Sequence, residues 1–286
     1  MMMTRTVYVN GQYVPENEAT ISIFDRGFTF ADGVYEVTSV IKGGLVDFDG
    51  HMARLKRSLR ELSIALPHSI EESKNAHHQL VTLTKLDEGV IYLQISRGAS
   101  DRDFPFPDGA MPTMIMFTQE KSLIDAPAAK TGIKVISVED IRWARRDIKS
   151  VGLLAPVLAK QAAKEAGCQD AWLYQDGYVT EGSSNNAYIV TEDDVIVTRQ
   201  LSNDILHGIT RHAVLDLARE KGMTIEERPF TIDEALNAKE AFVTSASTFV
   251  YPVIEIDQQS IGNGTPGPVA TRLRELYIEN ALANLS

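Results

Sequence analysis

The chain has one cysteine, Cys168, in 286 residues. No intrachain disulfide can form, which fits a reducing compartment. Cys168 itself reads as a small packing residue. No apolar run reaches the roughly 18 residues that cross a bilayer as a helix. The N-terminal MMMTRTVYVNG has no apolar core, so no secretory leader is expected there. A cytoplasmic location is the expectation. Basic residues are outnumbered, 28 Lys and Arg against 39 Asp and Glu, for a net charge of −11. That balance argues against a nucleic-acid partner, which needs a clustered basic face. P-loop, G-x-G-x-x-G, H-E-x-x-H and G-x-S-x-G patterns are all missing. Six scattered histidines and one cysteine compose no transition-metal site. His77 and His78 are neighbours, so on a helix they point about 100° apart.

What is present reads as short strands in hairpins with interspersed helices, the pattern of an α+β fold. Asn10-Gly11 between alternating apolar residues predicts a type I′ hairpin. Residues 51–64 are helical by period, with Met52, Leu55, Leu59 and Leu62 on one face and Asp49 as the expected N-cap. A second helix is expected over 70–86 and a strand over 90–96. That strand delivers a loop, 97–107, with two arginines and two prolines. Residues 121–130 read as a linker. We therefore expect a smaller N-terminal α+β domain over 1–120, a linker over 121–127 and a larger C-terminal α+β domain over 128–286. In the latter, helices are expected at 153–166, 208–221 and 268–283.

Several features favour an anion. Gly208-Ile209-Thr210 opens a helix, where free N–H groups and the dipole attract a phosphate. Ser245-Ala246-Ser247 follows a strand and offers hydroxyls. Arg54 adds a charge, although by pattern alone it also reads as a solvated helix arginine. Together these permit a phosphate-bearing ligand without requiring one. Lys149 sits where the charged turn VEDIRWARRDIKS meets an apolar run. Such a lysine ordinarily reads as a snorkelling surface residue.

The chain resembles the fold type IV pyridoxal-phosphate enzymes from end to end, and among them the D-amino-acid aminotransferases. The resemblance rests on Asp32-Gly33-Val34-Tyr35-Glu36-Val37, on Glu139-Asp140-Ile141-Arg142-Trp143 with Asp147-Ile148-Lys149-Ser150, and on Val179-Thr180-Glu181-Gly182-Ser183-Ser184 with Asn186. It rests also on Ile205-Leu206-His207-Gly208-Ile209-Thr210-Arg211, on Phe242-Val243-Thr244-Ser245, and on Pro252-Val253-Ile254-Glu255-Ile256-Asp257. The lysine and glutamate motifs lie 181 − 149 = 32 residues apart.

The resemblance implies two α+β domains with pyridoxal phosphate (PLP) in the cleft between them, and a homodimer. It implies that Lys149 holds the cofactor as an imine and then moves the substrate proton. Glu181 is implied to face the pyridine nitrogen, Leu206 to pack on the ring, and Arg54, Ile209, Thr210, Ser245 and Ala246 to surround the phosphate. Tyr35, Val37, Arg102, Phe104 and Ser184 are implied as substrate contacts, with Tyr35 and Arg102 on the carboxylate. The arginine loop is implied to come partly from the neighbouring subunit. Read without the family, Tyr35 is a strand aromatic and Arg102 a solvated loop charge.

Two positions depart from the family pattern. Phe104 stands where the D-amino-acid branch carries a histidine, and Ala246 where a hydroxyl residue usually follows Ser245. The implied reaction is transamination between D-amino acids and 2-oxo acids. An (R)-selective amine:pyruvate transaminase is the alternative that Phe104 keeps open, and an aminodeoxychorismate lyase is a weaker one.

Overall fold

The computed structural model describes residues 5–286. The chain divides into two compact units, and the division is not contiguous in sequence. The first holds the chain through Ser122 together with Ile148–Gly152 and Asn284–Ser286. The second holds Leu123–Asp147 and Leu153–Ala283.

The first unit is a six-stranded sheet backed by two helices. Its strands are β1 (Thr6–Val9), β2 (Gln12–Pro15), β3 (Gly33–Ile41), β4 (Gly44–Leu45), β5 (Glu88–Ser96) and β6 (Thr113–Glu120), in the order β2-β1-β6-β5-β3-β4. Asn10 and Gly11 both have positive φ, 48° and 91°, as the expected hairpin turn requires. β3 alternates along its first half. Val34, Glu36 and Thr38 are buried, while Tyr35 and Val37 are half-buried on the opposite face. Its antiparallel register with β5 sets Val34 against Ile95 and Glu36 against Leu93, so a carboxylate stands in an apolar row.

A short helix, α1 (Arg26–Phe30), precedes β3. Helix α2 (Phe48–Glu61) buries Met52, Leu55 and Leu59, the stripe its spacing predicts. The cap differs from expectation. Asp47 is the N-cap residue, in the left-handed region, and Asp49 lies in the first turn. Phe48 begins the helix because its ring is needed in the core. There Asp49 favours the helix through the dipole instead. Helix α3 (Ile70–Thr84) opens with a Ser69–Glu72 capping box.

The second unit is built on a nine-stranded mixed sheet. Its strands are β7 (Ile133–Glu139), β8 (Asp170–Gln175), β9 (Tyr178–Gly182), β10 (Asn186–Val190), β11 (Ile196–Thr198), β12 (Ile225–Glu227), β13 (Glu240–Ser245), β14 (Phe249–Ile256) and β15 (Gln259–Ser260). The order is β12-β11-β10-β13-β14-β7-β8-β9, with β15 on β14. Its helices are α4 (Pro127–Thr131), α5 (Leu154–Glu165), α6 (Ile209–Glu220), α7 (Ile232–Leu236) and α8 (Pro268–Ala283).

The segment 121–127 is not a free spacer. Leu123 and Ala126 are buried, and Arg274 of α8 donates to the Leu123 and Ile124 carbonyls. Residues 128–286 are likewise not one unit. Ile148 packs in the first unit's core, and Lys149 and Val151 share backbone hydrogen bonds with β3.

Candidate active site

In the first unit, the segment bearing Lys149 lies antiparallel to the start of β3. Tyr35 N–H donates to the Lys149 carbonyl (3.0 Å) and Val151 N–H to the Gly33 carbonyl (3.0 Å), with Val34 and Ser150 bridged. Lys149 N–H also donates to Ser58 Oγ (3.3 Å). This pairing sets the Lys149 Nζ 4.2 Å from the centroid of the Tyr35 ring. Tyr35 stacks on Tyr92, and Tyr92 on Phe117, so the phenol beneath the lysine belongs to a fixed column of rings. Val37 shares that face, opposite Tyr92 in register.

Arg54 is not a solvated helix residue. It is buried beside Glu36, donating from Nε to Oε1 (2.8 Å) and from Nη2 to Oε2 (2.7 Å). His51 Nδ1 donates to the same carboxylate (2.8 Å). His51, Arg54 and Ser58 form a polar stripe on α2 at spacings of three and four, next to the apolar one. Burial pushes the Glu36 carboxyl up, but the charge and hydrogen bonds of Arg54 and His51 outweigh it and hold it at about 2.

Arg102 and Phe104 occupy the exposed loop after β5. The Arg102 guanidinium lies 5.2 Å from the Phe30 ring and 5.7 Å from the Phe104 ring, and the two rings meet edge to face.

In the second unit Glu181 lies near the end of β9 in full burial. Oε1 accepts from Arg142 Nη1 (2.6 Å), Oε2 accepts from Asn186 Nδ2 (2.9 Å), and both lie 3.1 Å from Leu206 N–H. Asn186 also donates to the Leu206 carbonyl (2.9 Å), so one amide ties Glu181 to the loop before α6. A Cβ on Gly208 would overlap that amide, which explains the glycine. Arg142 is itself shared. It donates from Nε and Nη2 to Asp140, at 2.9 and 2.7 Å. Burial raises the Glu181 carboxyl above its ordinary value, and Arg142 only partly opposes this. At Asp140 burial also pushes up, yet Arg142 and Thr180 bring the carboxyl below its usual range.

Helix α6 begins at Ile209 without a side-chain cap and without an acidic residue in its first turn. Thr210 is buried, and its Oγ1 has no hydrogen-bond partner. In the sheet, Asn186 pairs with Thr244, which brings Ser245 and Ala246 to the Glu181 end of β10. Ser245 Oγ lies 2.8 Å from Thr248 Oγ1. Ser184 is exposed.

The structure thus joins Lys149 with Tyr35 in one unit and Glu181 with Leu206 in the other. Glu36 and His51 beside Arg54, and Arg142 and Asn186 beside Glu181, have no role assigned from sequence. The three-and-four spacing of His51, Arg54 and Ser58 is a readable signal for the first pair. For Arg142 the sign is the Asp140-x-Arg142 spacing, which lets one carboxylate hold the guanidinium fork.

Residues 33–256 match the amino-transferase class IV family. A D-alanine aminotransferase of Bacillus licheniformis is 41% identical over 278 residues, 96% of each chain. One from Staphylococcus aureus (strain MSSA476) is 38% identical over 280 residues, 96% of this chain and 98% of that one. The chain belongs to the class IV aminotransferases. Among solved structures, a branched-chain amino acid aminotransferase of T.th. with pyridoxamine 5'-phosphate superposes with a TM-score of 0.90 at 28% identity, covering 99% of this chain and 96% of that one. The α+β fold expected from the fold type IV resemblance is the fold observed. This aminotransferase carries its lysine and its buried glutamate on different units, each with its own supporting shell. Among the described residues no helix is long and apolar enough to cross a membrane.

Proposed function

We propose that this class IV aminotransferase moves an amino group from D-amino acids, such as D-alanine, to 2-oxo acids, such as 2-oxoglutarate or pyruvate. The near full-length relatives that carry the name D-alanine aminotransferase support this donor class. The cofactor is pyridoxal phosphate, which supplies an electron sink for the carbon that loses its proton.

The residues present suit that cofactor. An uncapped helix start at Ile209 and the unpartnered Thr210 hydroxyl form an anion cradle, to which Ser245 and the Ala246 backbone are adjacent candidates. Arg54 adds positive charge, with its guanidinium oriented by Glu36. Leu206, whose N–H donates to Glu181, would pack its apolar side chain on the ring. Glu181 would meet the pyridine nitrogen. A buried carboxylate whose charge is only partly offset favours a protonated ring nitrogen, and that proton in turn relieves its burial. Lys149 would carry the cofactor covalently, and its Nζ would take and return the proton at the substrate carbon. The Tyr35 ring limits where that amine can swing.

The observation that carries the carboxylate-bearing donor is Arg102. Its guanidinium rests at a corner made by the Phe30 and Phe104 rings, and its planar set of N–H donors would match a carboxylate's oxygens. Tyr35, Val37, Phe104 and Ser184 complete the proposed substrate contacts. The working form is a homodimer in this reading. Exposed Ile23, Phe24, Phe28, Phe106 and Met111 in the first unit, and Leu154, Val157 and Leu158 in the second, would be covered by a second copy. The single cysteine accords with a cytoplasmic setting.

Rates with D-alanine and 2-oxoglutarate, against (R)-1-phenylethylamine and pyruvate, test the donor class. D-alanine is expected to win. A large preference for the amine would overturn the reading in favour of the (R)-amine transaminase. Pyruvate release from an aminated chorismate with no acceptor present would favour the lyase.

A further inference from the structure

The loop between β5 and β6 has no helix or strand of its own over residues 97–112, yet it carries Arg102 and Phe104. Its beginning is tied by backbone bonds, Arg26 N–H to the Gly98 carbonyl (2.9 Å) and Ser100 N–H to the Phe24 carbonyl (3.2 Å). Its tip is tied by a side chain. Arg26, buried at 3% exposure, donates from Nη1 to the Asp103 carbonyl (2.6 Å) and from Nη2 to the Phe104 carbonyl (3.3 Å). Its Nε donates to Asp32 Oδ2 (2.8 Å). The same guanidinium lies 4.5 Å from the Phe30 ring, the ring that also faces Arg102 and Phe104.

The charge balance explains why the carbonyls are needed. Asp32 serves two guanidinium groups, Arg26 and Arg97, at 2.8 and 2.7 Å. One negative charge faces two positive ones in a largely buried cluster. The surplus is taken up by carbonyl dipoles, those of Leu62 and Ser63 for Arg97 and those of Asp103 and Phe104 for Arg26. A lysine could keep the charge beside Asp32 but not the planar fork that reaches two consecutive carbonyls.

We infer that Arg26 is a positioning residue for substrate-carboxylate recognition. It clamps the Arg102–Phe104 tip and, through Phe30, sets the ring bracket that aims the Arg102 guanidinium. The inference rests on the Arg102 role proposed above. It also gives Phe104 a function, as one wall of that bracket in place of a hydrogen-bond donor.

Steady-state kinetics of the PLP-loaded enzyme with D-alanine, at saturating 2-oxoglutarate, test this in Arg26→Lys, Phe30→Leu and Arg102→Ala. Arg26→Lys should raise KM for D-alanine about tenfold and change kcat less than about threefold, with Phe30→Leu showing a smaller rise of about threefold in KM. In the double variant, Arg26→Lys should add little to Arg102→Ala, because it acts through that residue. A wild-type KM in Arg26→Lys, or an additive double variant, overturns the inference while Arg102→Ala still raises KM and the proposed function stands. If Arg102→Ala itself leaves KM unchanged, both the carboxylate contact and the inference fail. Should Arg26→Lys not fold, Phe30→Leu decides by the same criterion, since it leaves the buried charges intact.

Discussion

Glu36 and Glu181 are both buried carboxylates bonded to an arginine, yet burial and charge settle them in opposite directions. Glu36 has Arg54 on both oxygens and His51 as a further donor, and is held at about 2. Glu181 has one strong cationic partner, Arg142, which also serves Asp140, and the Asp140 charge works against it. The first carboxylate is saturated by its own protein. The second is left with a burial cost that a cation on a ligand can offset. A saturated carboxylate orients its neighbours, whereas an unsaturated one recruits a proton or a positive ring. The pair therefore separates a structural glutamate from the one proposed to face the cofactor, although both read as acidic residues in apolar strands.

Replacing each carboxylate by its amide should break this symmetry most clearly. Glu36→Gln leaves Arg54 buried without its countercharge, and urea unfolding should report a loss of about 3–5 kcal/mol. Equal stability in that variant would mean that the Arg54 pair contributes nothing net.

Acid sharpens the contrast within the first unit. His77 is buried, donates Nδ1 to the Ser73 carbonyl and has no partner on Nε2. Burial lowers it from 6.5 to about 4. Its folded state prefers the neutral ring, so its contribution is complete above pH 6.5 and is lost as pH falls toward 4. That span corresponds to about 3 kcal/mol. Glu36 acts lower, with its contribution complete above pH 4.5 and lost as pH falls through about 2. Stability measured from about pH 7 to 4 should therefore slope downward, and His77→Gln should flatten that slope. An unchanged slope in the variant would assign the acid sensitivity elsewhere.

Glu181→Gln should do the reverse of Glu36→Gln. Its folded carboxyl is raised, so neutralising it costs little stability, within about 1 kcal/mol. Turnover should nonetheless fall about a hundredfold, because Glu181 is the proposed partner of the ring nitrogen. The smallest expected effect is at the Ser69–Glu72 box. Ser69→Ala should cost about 1 kcal/mol in unfolding and leave turnover unchanged, since it touches neither carboxylate cluster.

Structure was legible in the sequence wherever its causes were local. The Asn10-Gly11 turn, the Met52–Leu55–Leu59 stripe and the bounds of α8 follow from turn residues and period. The fold type IV motifs pointed to the family that residues 33–256 match. Long-range pairing was not legible. Nothing near Lys149 announces that its segment hydrogen-bonds along β3 and belongs with the first unit. Arg54 reads as solvated because its partner Glu36 lies 18 residues away on a strand. Asp49 reads as the cap because the burial of Phe48, which moves the helix start, is a tertiary fact. Short elements such as β12 and α7 carry too few residues to show a period. Among the proposed contacts, Thr210 is readable as a helix start, but its unpartnered hydroxyl is not.

The proposed covalent role of Lys149 can be tested by borohydride reduction of the PLP-loaded protein, followed by proteolysis and mass mapping. One pyridoxyl modification is expected, on the peptide containing Lys149, with its loss in Lys149→Ala. A reduced cofactor on another lysine, or none on the wild-type chain, would contradict it.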